Sequence, residues 1–262
     1  MLSNLTKSLT KILFVYGLFQ SLVFFVLHKL WLFPLGFLFL FFVVQLTFYL
    51  AVFFFLYLNQ KLFYNAFTGE RETSVNDANK ITLFRITMAP FLVFLTLVSQ
   101  KNGFSGNPET AEPALTIAFV LTFASDFFDG FLARKRNQVT YIGRILDSAC
   151  DYLLLGVTAA AFFYFKLLKP WLFLVITGRL VLNALVMLIL FLVRRKLIPQ
   201  TTPIGKIAIA AIMVLLVIEA AAPLGLPRWI HYAEPAAAIL IGISVIDKLL
   251  FLAKNIRAAK AE

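Results

Sequence analysis

Apolar runs long enough to approach or exceed a membrane span alternate with short polar segments along nearly the whole chain. The first run covers residues 12–27 and is short for a span unless its flanks join it; the second covers 32–58, broken only by Pro34, Gln45 and aromatic hydroxyls. Residues 59–80 are polar and form the one substantial linker. Further runs follow at 81–99, with Pro90 as a kink, and at 114–135, 144–165, 171–193, 204–221 and 235–253. Between them the sequence predicts a Gly/Asn/Pro/Glu loop at 101–113, a tight basic turn at 136–141 and a turn at 166–170. The pattern predicts an all-α polytopic membrane protein of about eight spans. It divides into an N-terminal transmembrane hairpin (1–58), a linker (59–80) and a six-span core (81–262). The hairpin, rich in Phe and Leu and without interior charges, reads as a lipid-facing anchor. No internal repeat or inverted symmetry is visible.

Composition sharpens this picture. The chain is 61% hydrophobic with 30 Phe, and its mean hydropathy is +0.89, which excludes a soluble domain. A single cysteine, Cys150, excludes an intramolecular disulfide, and two distant histidines, His28 and His231, argue against a His-based metal site. The net charge of +11 reads as topology and contact with anionic lipid, not nucleic-acid binding, because no basic domain stands outside the spans. Most of the 24 Lys and Arg fall on the side that carries the 136–141 turn, against Lys29, Lys101, Lys166, Lys169 and Arg228 on the other. The positive-inside rule then places that turn and both termini in the cytoplasm. Residues 1–11, polar and with two lysines, resemble a signal-peptide start, but no small-residue cleavage site follows, so the segment reads as retained.

One stretch does not fit a purely structural role. Asp126 and Asp129 lie three residues apart, and Asp147 and Asp151 four apart, in a chain with only 13 acidic residues. On helices each pair shares a face, one turn apart. Two such pairs facing each other would make an oxygen-rich cage for hard divalent ions, and ionised groups at membrane depth are costly unless functional. An all-carboxylate set suits Mg²⁺ or Mn²⁺ better than zinc. Gly130 and Gly143 permit close approach of helices or ligand, and Arg134 can grip phosphate oxygens with a planar fork.

The full spacing is D-x-x-D-G-x-x-A-R, eight residues, then G-x-x-x-D-x-x-x-D, from Asp126 to Asp151. It resembles the signature of the CDP-alcohol phosphotransferases, membrane enzymes of phospholipid synthesis. Upstream, Asn79-Lys80-Ile81-Thr82-Leu83-Phe84-Arg85 is similar to the start of that family's first core span, with Ala78 where a proline is usual. The resemblance covers about residues 76–254 and implies a six-helix core, two metal ions and a homodimer. It implies that Asp126, Asp129, Asp147 and Asp151 hold the metals, with Asp151 also the general base. Gly130, Ala133, Arg134 and Gly143, with Thr82 and Arg85, would lie on the cytidine-nucleotide side. Arg179, Arg144 and Lys206 are the candidates for binding the acceptor alcohol.

Within the family, residues 128–140 look most like phosphatidylglycerophosphate and bacterial-type cardiolipin synthases, which act in the bacterial inner membrane. This implies CDP-diacylglycerol as donor and a small polar alcohol as acceptor, glycerol 3-phosphate first, with CMP released. Ser148 and Tyr152 replace a proline and a lysine usual beside the catalytic aspartates. The missing cation must come from Arg136, Arg144, Arg179 or Lys206 if the acceptor is phosphorylated. The alternative arrangement within the family passes phosphocholine or phosphoethanolamine from its CDP ester to diacylglycerol. An ion-coupled transporter is the reading from another class, and it would require repeats and midplane acidic groups that the sequence lacks.

Overall fold

The apolar runs are helices, and several extend further than hydropathy marks. A computed structural model describes residues 4–100, 108–136, 139–194, 202–225 and 232–261. Its helices are α1 (Asn4–Trp31), α2 (Leu35–Leu58), α3 (Asp77–Gln100), α4 (Pro108–Lys135), α5 (Tyr141–Tyr164), α6 (Pro170–Arg194), α7 (Pro203–Ala221) and α8 (Ala233–Ala261). Among the described residues, all of these except α4 are long and apolar enough to cross a membrane, which makes the chain an integral, all-α membrane protein. No extended strand is present among the described residues, only two isolated β-bridges.

The differences from the predicted boundaries share a cause. Hydropathy marks the part of a helix that suits hydrocarbon, whereas a nucleated helix runs on through polar residues at its ends. So α1 starts at Asn4, α3 takes in residues 77–80 of the expected linker, and α8 continues to Ala261. The expected loop at 101–113 is helical from Pro108 onward, with Pro113 inside α4. Proline at a first helical position has its φ already set, and a second one removes a single backbone bond without ending the helix. Residues 101–107 lie outside the described set.

The chain forms two compact units, Met1–Leu154 and Leu155–Glu262. In the first, α3 packs on α4 and receives α1 and α2 on another side. Phe24 of α1 stacks on Phe41 of α2 at 3.9 Å and meets Phe91 and Phe94 of α3 edge-on. Beside this aromatic cluster, buried Gln20 donates to Thr87 Oγ1 (3.3 Å) and accepts from Gln45 Nε2 (3.3 Å) and Tyr49 Oη (3.0 Å). Polar bonds in an apolar layer are directional, so they fix the register of the hairpin against α3 more tightly than Phe packing alone. The hairpin exposes Phe14, Leu18, Leu22, Phe39 and Leu46, as a lipid-facing surface requires. In the second unit, α8 packs on both α6 and α7 around Ile176, Ile212, Leu216 and Ile241, and Lys169 pairs with Glu234 at 2.7 Å.

Candidate active site

Three helices of the first unit bring the site together. Arg85 sits two turns into α3, Asp126 toward the end of α4, and Asp147 and Asp151 in the second and third turns of α5. Carboxylate oxygens of Asp126, Asp147 and Asp151 lie within 4.8 Å of one another. The Arg85 guanidinium reaches all three: Nη1 is 2.6 Å from Asp126 and 3.4 Å from Asp147, and Nη2 is 2.9 Å from Asp151. Arg85 has no exposed side-chain surface, while Asp126, Asp147 and Asp151 retain 27%, 52% and 14% of theirs. The cluster is therefore closed behind Arg85 and accessible from the side of Asp147.

One guanidinium against three carboxylates leaves excess negative charge when all are ionised, and a partly desolvated site strengthens its attraction for cations. The donors are all carboxylate oxygens, close enough to share an ion and open on one side, and they fit a hard divalent metal. Arg85, expected on the nucleotide side, directs its guanidinium at the aspartates. Its planar fork reaches the three carboxylates through two separate nitrogens, which a lysine ammonium could not do in the same geometry. The backbones of Asp129, Gly130, Ala133 and Arg134 continue α4, but the side chains of Asp129, Ala133 and Arg134 lie outside the described residues.

The start of α5 is set by a second constellation. Thr140, almost fully buried, accepts from the Gly143 amide (3.0 Å) through its hydroxyl and so caps the helix. Asn79 on α3, also buried, donates to the same hydroxyl at 2.9 Å. A Cβ on Gly143 would lie 2.4 Å from Asn79 Oδ1 and 2.8 Å from Thr140 Oγ1. Gly143 thus leaves room for the Asn79 and Thr140 side chains. Nearby, Asp77 on α3 binds Lys80 at 2.7 Å and pairs with Arg136 beyond α4. Asn79 was visible in the sequence motif without a role, and Thr140 carried no signal beyond its place before a helix.

The remaining candidates fall in both units. Thr82 is buried one turn before Arg85, its hydroxyl bonded to the Ala78 carbonyl at 3.2 Å. Arg144 is exposed on the first turn of α5. In the second unit, Lys206 is exposed on the first turn of α7, a helix capped by Thr202. Arg179 is buried on α6, its Nε donating to Ser244 Oγ (3.2 Å) and its Nη2 to the Gly205 carbonyl (2.8 Å).

A membrane-embedded helical core with a carboxylate cluster at this spacing defines a class. The family model of the CDP-alcohol phosphatidyltransferases matches residues 75–246, and the chain belongs to that family of enzymes. Members use divalent metals. Among similar proteins, a CDP-diacylglycerol–glycerol-3-phosphate 3-phosphatidyltransferase of Aquifex aeolicus is 31% identical over 50% of this chain and 68% of its own length. The Bacillus subtilis protein of the same name is 32% identical over 40% of this chain and 56% of its own. A CMP-forming cardiolipin synthase of Streptomyces coelicolor is 31% identical over 50% of this chain and 58% of its own. The matched stretch is therefore between about half and two thirds of the length of these relatives. Residues 1–74, with the hairpin and most of the linker, precede the family match.

Proposed function

We propose that the protein transfers a phosphatidyl group from CDP-diacylglycerol to a small polar alcohol, glycerol 3-phosphate first, and releases CMP. The observation that carries this reading is the convergence of Asp126, Asp147 and Asp151 from separate helices on one partly open point. Asp129 completes the set by sequence. These residues would hold two Mg²⁺ or Mn²⁺ ions, whose contribution when bound is to neutralise the pyrophosphate and its departing oxygen. Arg85 keeps three carboxylates gathered and offsets part of their mutual repulsion. Asp151, the least exposed of the three, accepts the proton of the attacking hydroxyl. The hydroxyl oxygen then bonds to the lipid-bearing phosphorus as the bond from that phosphorus to the bridging oxygen breaks, and the electron pair leaves with CMP.

Arg134, with Gly130, Ala133, Gly143 and Thr82, serves the nucleotide side. Arg179, Arg144 and Lys206 serve the acceptor; the Arg179 guanidinium is oriented by Ser244 Oγ and the Gly205 carbonyl. The protein works as a homodimer in the inner membrane, with the aspartates and both termini toward the cytoplasm. Residues 81–262 form the catalytic core, with the hairpin 1–58 appended through the segment 59–80. The test is CMP release from CDP-diacylglycerol by the purified protein with Mn²⁺, adding glycerol 3-phosphate, inositol phosphate, inositol or serine singly. Release with glycerol 3-phosphate that disappears in Asp151→Asn establishes the reading. Release only from CDP-choline or CDP-ethanolamine with diacylglycerol reverses donor and acceptor, and no release from any donor overturns it.

A further inference from the structure

The segment between α2 and α3 is folded, not slack. A short 3-10 turn at Gln60–Leu62 leads into a hairpin in which Asn65 N donates to Glu70 O (2.8 Å) and Glu72 N to Phe63 O (2.9 Å). Its tip is closed by Asn65 Oδ1, which accepts from the amides of Phe67 and Thr68, and by Gly69 at φ +73°. Phe63 at its start and Val75 just after it are buried. The ends are tied to α1, where Gln60 donates to Thr6 Oγ1 (3.1 Å) and Val75 N to Ser8 Oγ (3.3 Å).

The outer edge of this hairpin pairs with the segment that opens α5. Ala66 N donates to Val139 O at 2.8 Å, Tyr141 N donates to Tyr64 O at 3.1 Å, and Asn65 and Thr140 form an antiparallel bridge. The Tyr64 and Tyr141 rings stack at 5.4 Å with 10° between their planes. Residues 139–141 are thus clamped by this strap and, through Thr140, by Asn79. Asp147 and Asp151 lie about two and three helical turns further on, along a continuous α5. A stiff helix passes any displacement of its first residue on to those carboxylates, and ligand geometry is sensitive to such supports.

We infer that residues 63–72, with Tyr64, Ala66 and Tyr141 as the contact points, are a positioning device for the carboxylates of α5. The role rests on the proposed reading of the aspartates as a metal-assisted transfer site. It gives the segment that precedes the family match a part in the chemistry: α1 anchors the strap, and the strap fixes the start of α5.

The test uses the full chain in detergent, comparing wild type with Tyr64→Ala, Tyr64→Phe and Ala66→Pro. Mn²⁺ binding is read by electron paramagnetic resonance, amide exchange at Tyr141 and Gly143 by mass spectrometry, and CMP release in parallel. Tyr64→Ala and Ala66→Pro should speed exchange at both amides and weaken Mn²⁺ binding by about tenfold, and Tyr64→Phe, which keeps the ring stack, should restore both. Wild-type Mn²⁺ affinity and CMP release in Tyr64→Ala, with exchange at Tyr141 raised, would overturn the inference while leaving the transfer reaction standing. The same holds if Tyr64→Ala changes none of the three readouts. Weakened Mn²⁺ binding in Tyr64→Ala, rescued by Tyr64→Phe, in a protein whose wild type releases no CMP, would keep the strap's role and remove the reaction. Wild type that binds no Mn²⁺ overturns both.

Discussion

Arg85 and Arg179 are both buried in helices, Arg85 wholly and Arg179 to within 2% of its surface, yet the hydrogen bonds and ion pairs seen for each differ. Arg85 faces three carboxylates from two other helices. Arg179 is oriented by a carbonyl and a hydroxyl. A guanidinium surrounded by carboxylates spends its charge inside the protein and leaves a site that still draws cations. In the proposed reading the second guanidinium, which bonds Ser244 and the Gly205 carbonyl, serves the acceptor and not the metal. The comparison separates two jobs that the sequence shows only as two arginines in apolar runs.

The sharpest way to break this comparison is to remove a carboxylate. Asp151→Asn should lower CMP release by about 100-fold or more with little change in the amount of folded protein, read by turnover and size-exclusion together. Arg85→Leu comes next. It leaves three carboxylates without their buried partner and should cost up to about 3 kcal/mol, the lower end of the usual range because the aspartates are partly exposed. Thermal melts should show that loss, and added Mn²⁺ should recover part of it, since a bound cation replaces the missing charge. If Arg85→Leu melts like wild type, the guanidinium is not what holds the cluster together.

Arg179→Ala should raise the KM for a phosphorylated acceptor by about tenfold and leave the KM for the CDP donor unchanged, with Arg179→Lys intermediate. Equal changes in both constants would show that the residue supports the fold of its unit and not a substrate. Gly143→Ala should cost about 1–3 kcal/mol through the contacts its Cβ would make. Asn79→Ala in the same chain should return part of that loss, because the two positions share one space; strictly additive losses in denaturation would contradict this. The smallest effect belongs to Gln20→Leu, about 1 kcal/mol by thermal melt with turnover retained, because its bonds to Gln45, Tyr49 and Thr87 join the hairpin to α3 away from the aspartates.

The number and order of the helices were legible because burial in hydrocarbon demands long apolar runs, and the run at 32–58 gives α2 almost to the residue. Asp147 and Asp151 were legible as neighbours because helical spacing puts them on one face. The partner they share with Asp126 was less so: Arg85 lies more than forty residues upstream of Asp126, and nothing local distinguishes it from an interfacial anchor. The strap was the least visible. Its clamp is made of backbone amides and carbonyls at Tyr64, Ala66, Val139 and Tyr141, which every residue but proline carries, so a polar stretch that folds reads like one that does not.

The sequence by itself therefore determined an all-helical membrane protein of the CDP-alcohol phosphatidyltransferase family and the residues that carry its acidic motif. Periodicity and spacing are local properties, and they survive in one dimension. Only the tertiary structure decided that Arg85 closes the carboxylate cluster, that Gly143 makes room for Asn79 and Thr140, and that the segment after α2 grips the start of α5. Each of these depends on groups distant in sequence meeting at hydrogen-bond range, and packing in three dimensions selects those meetings.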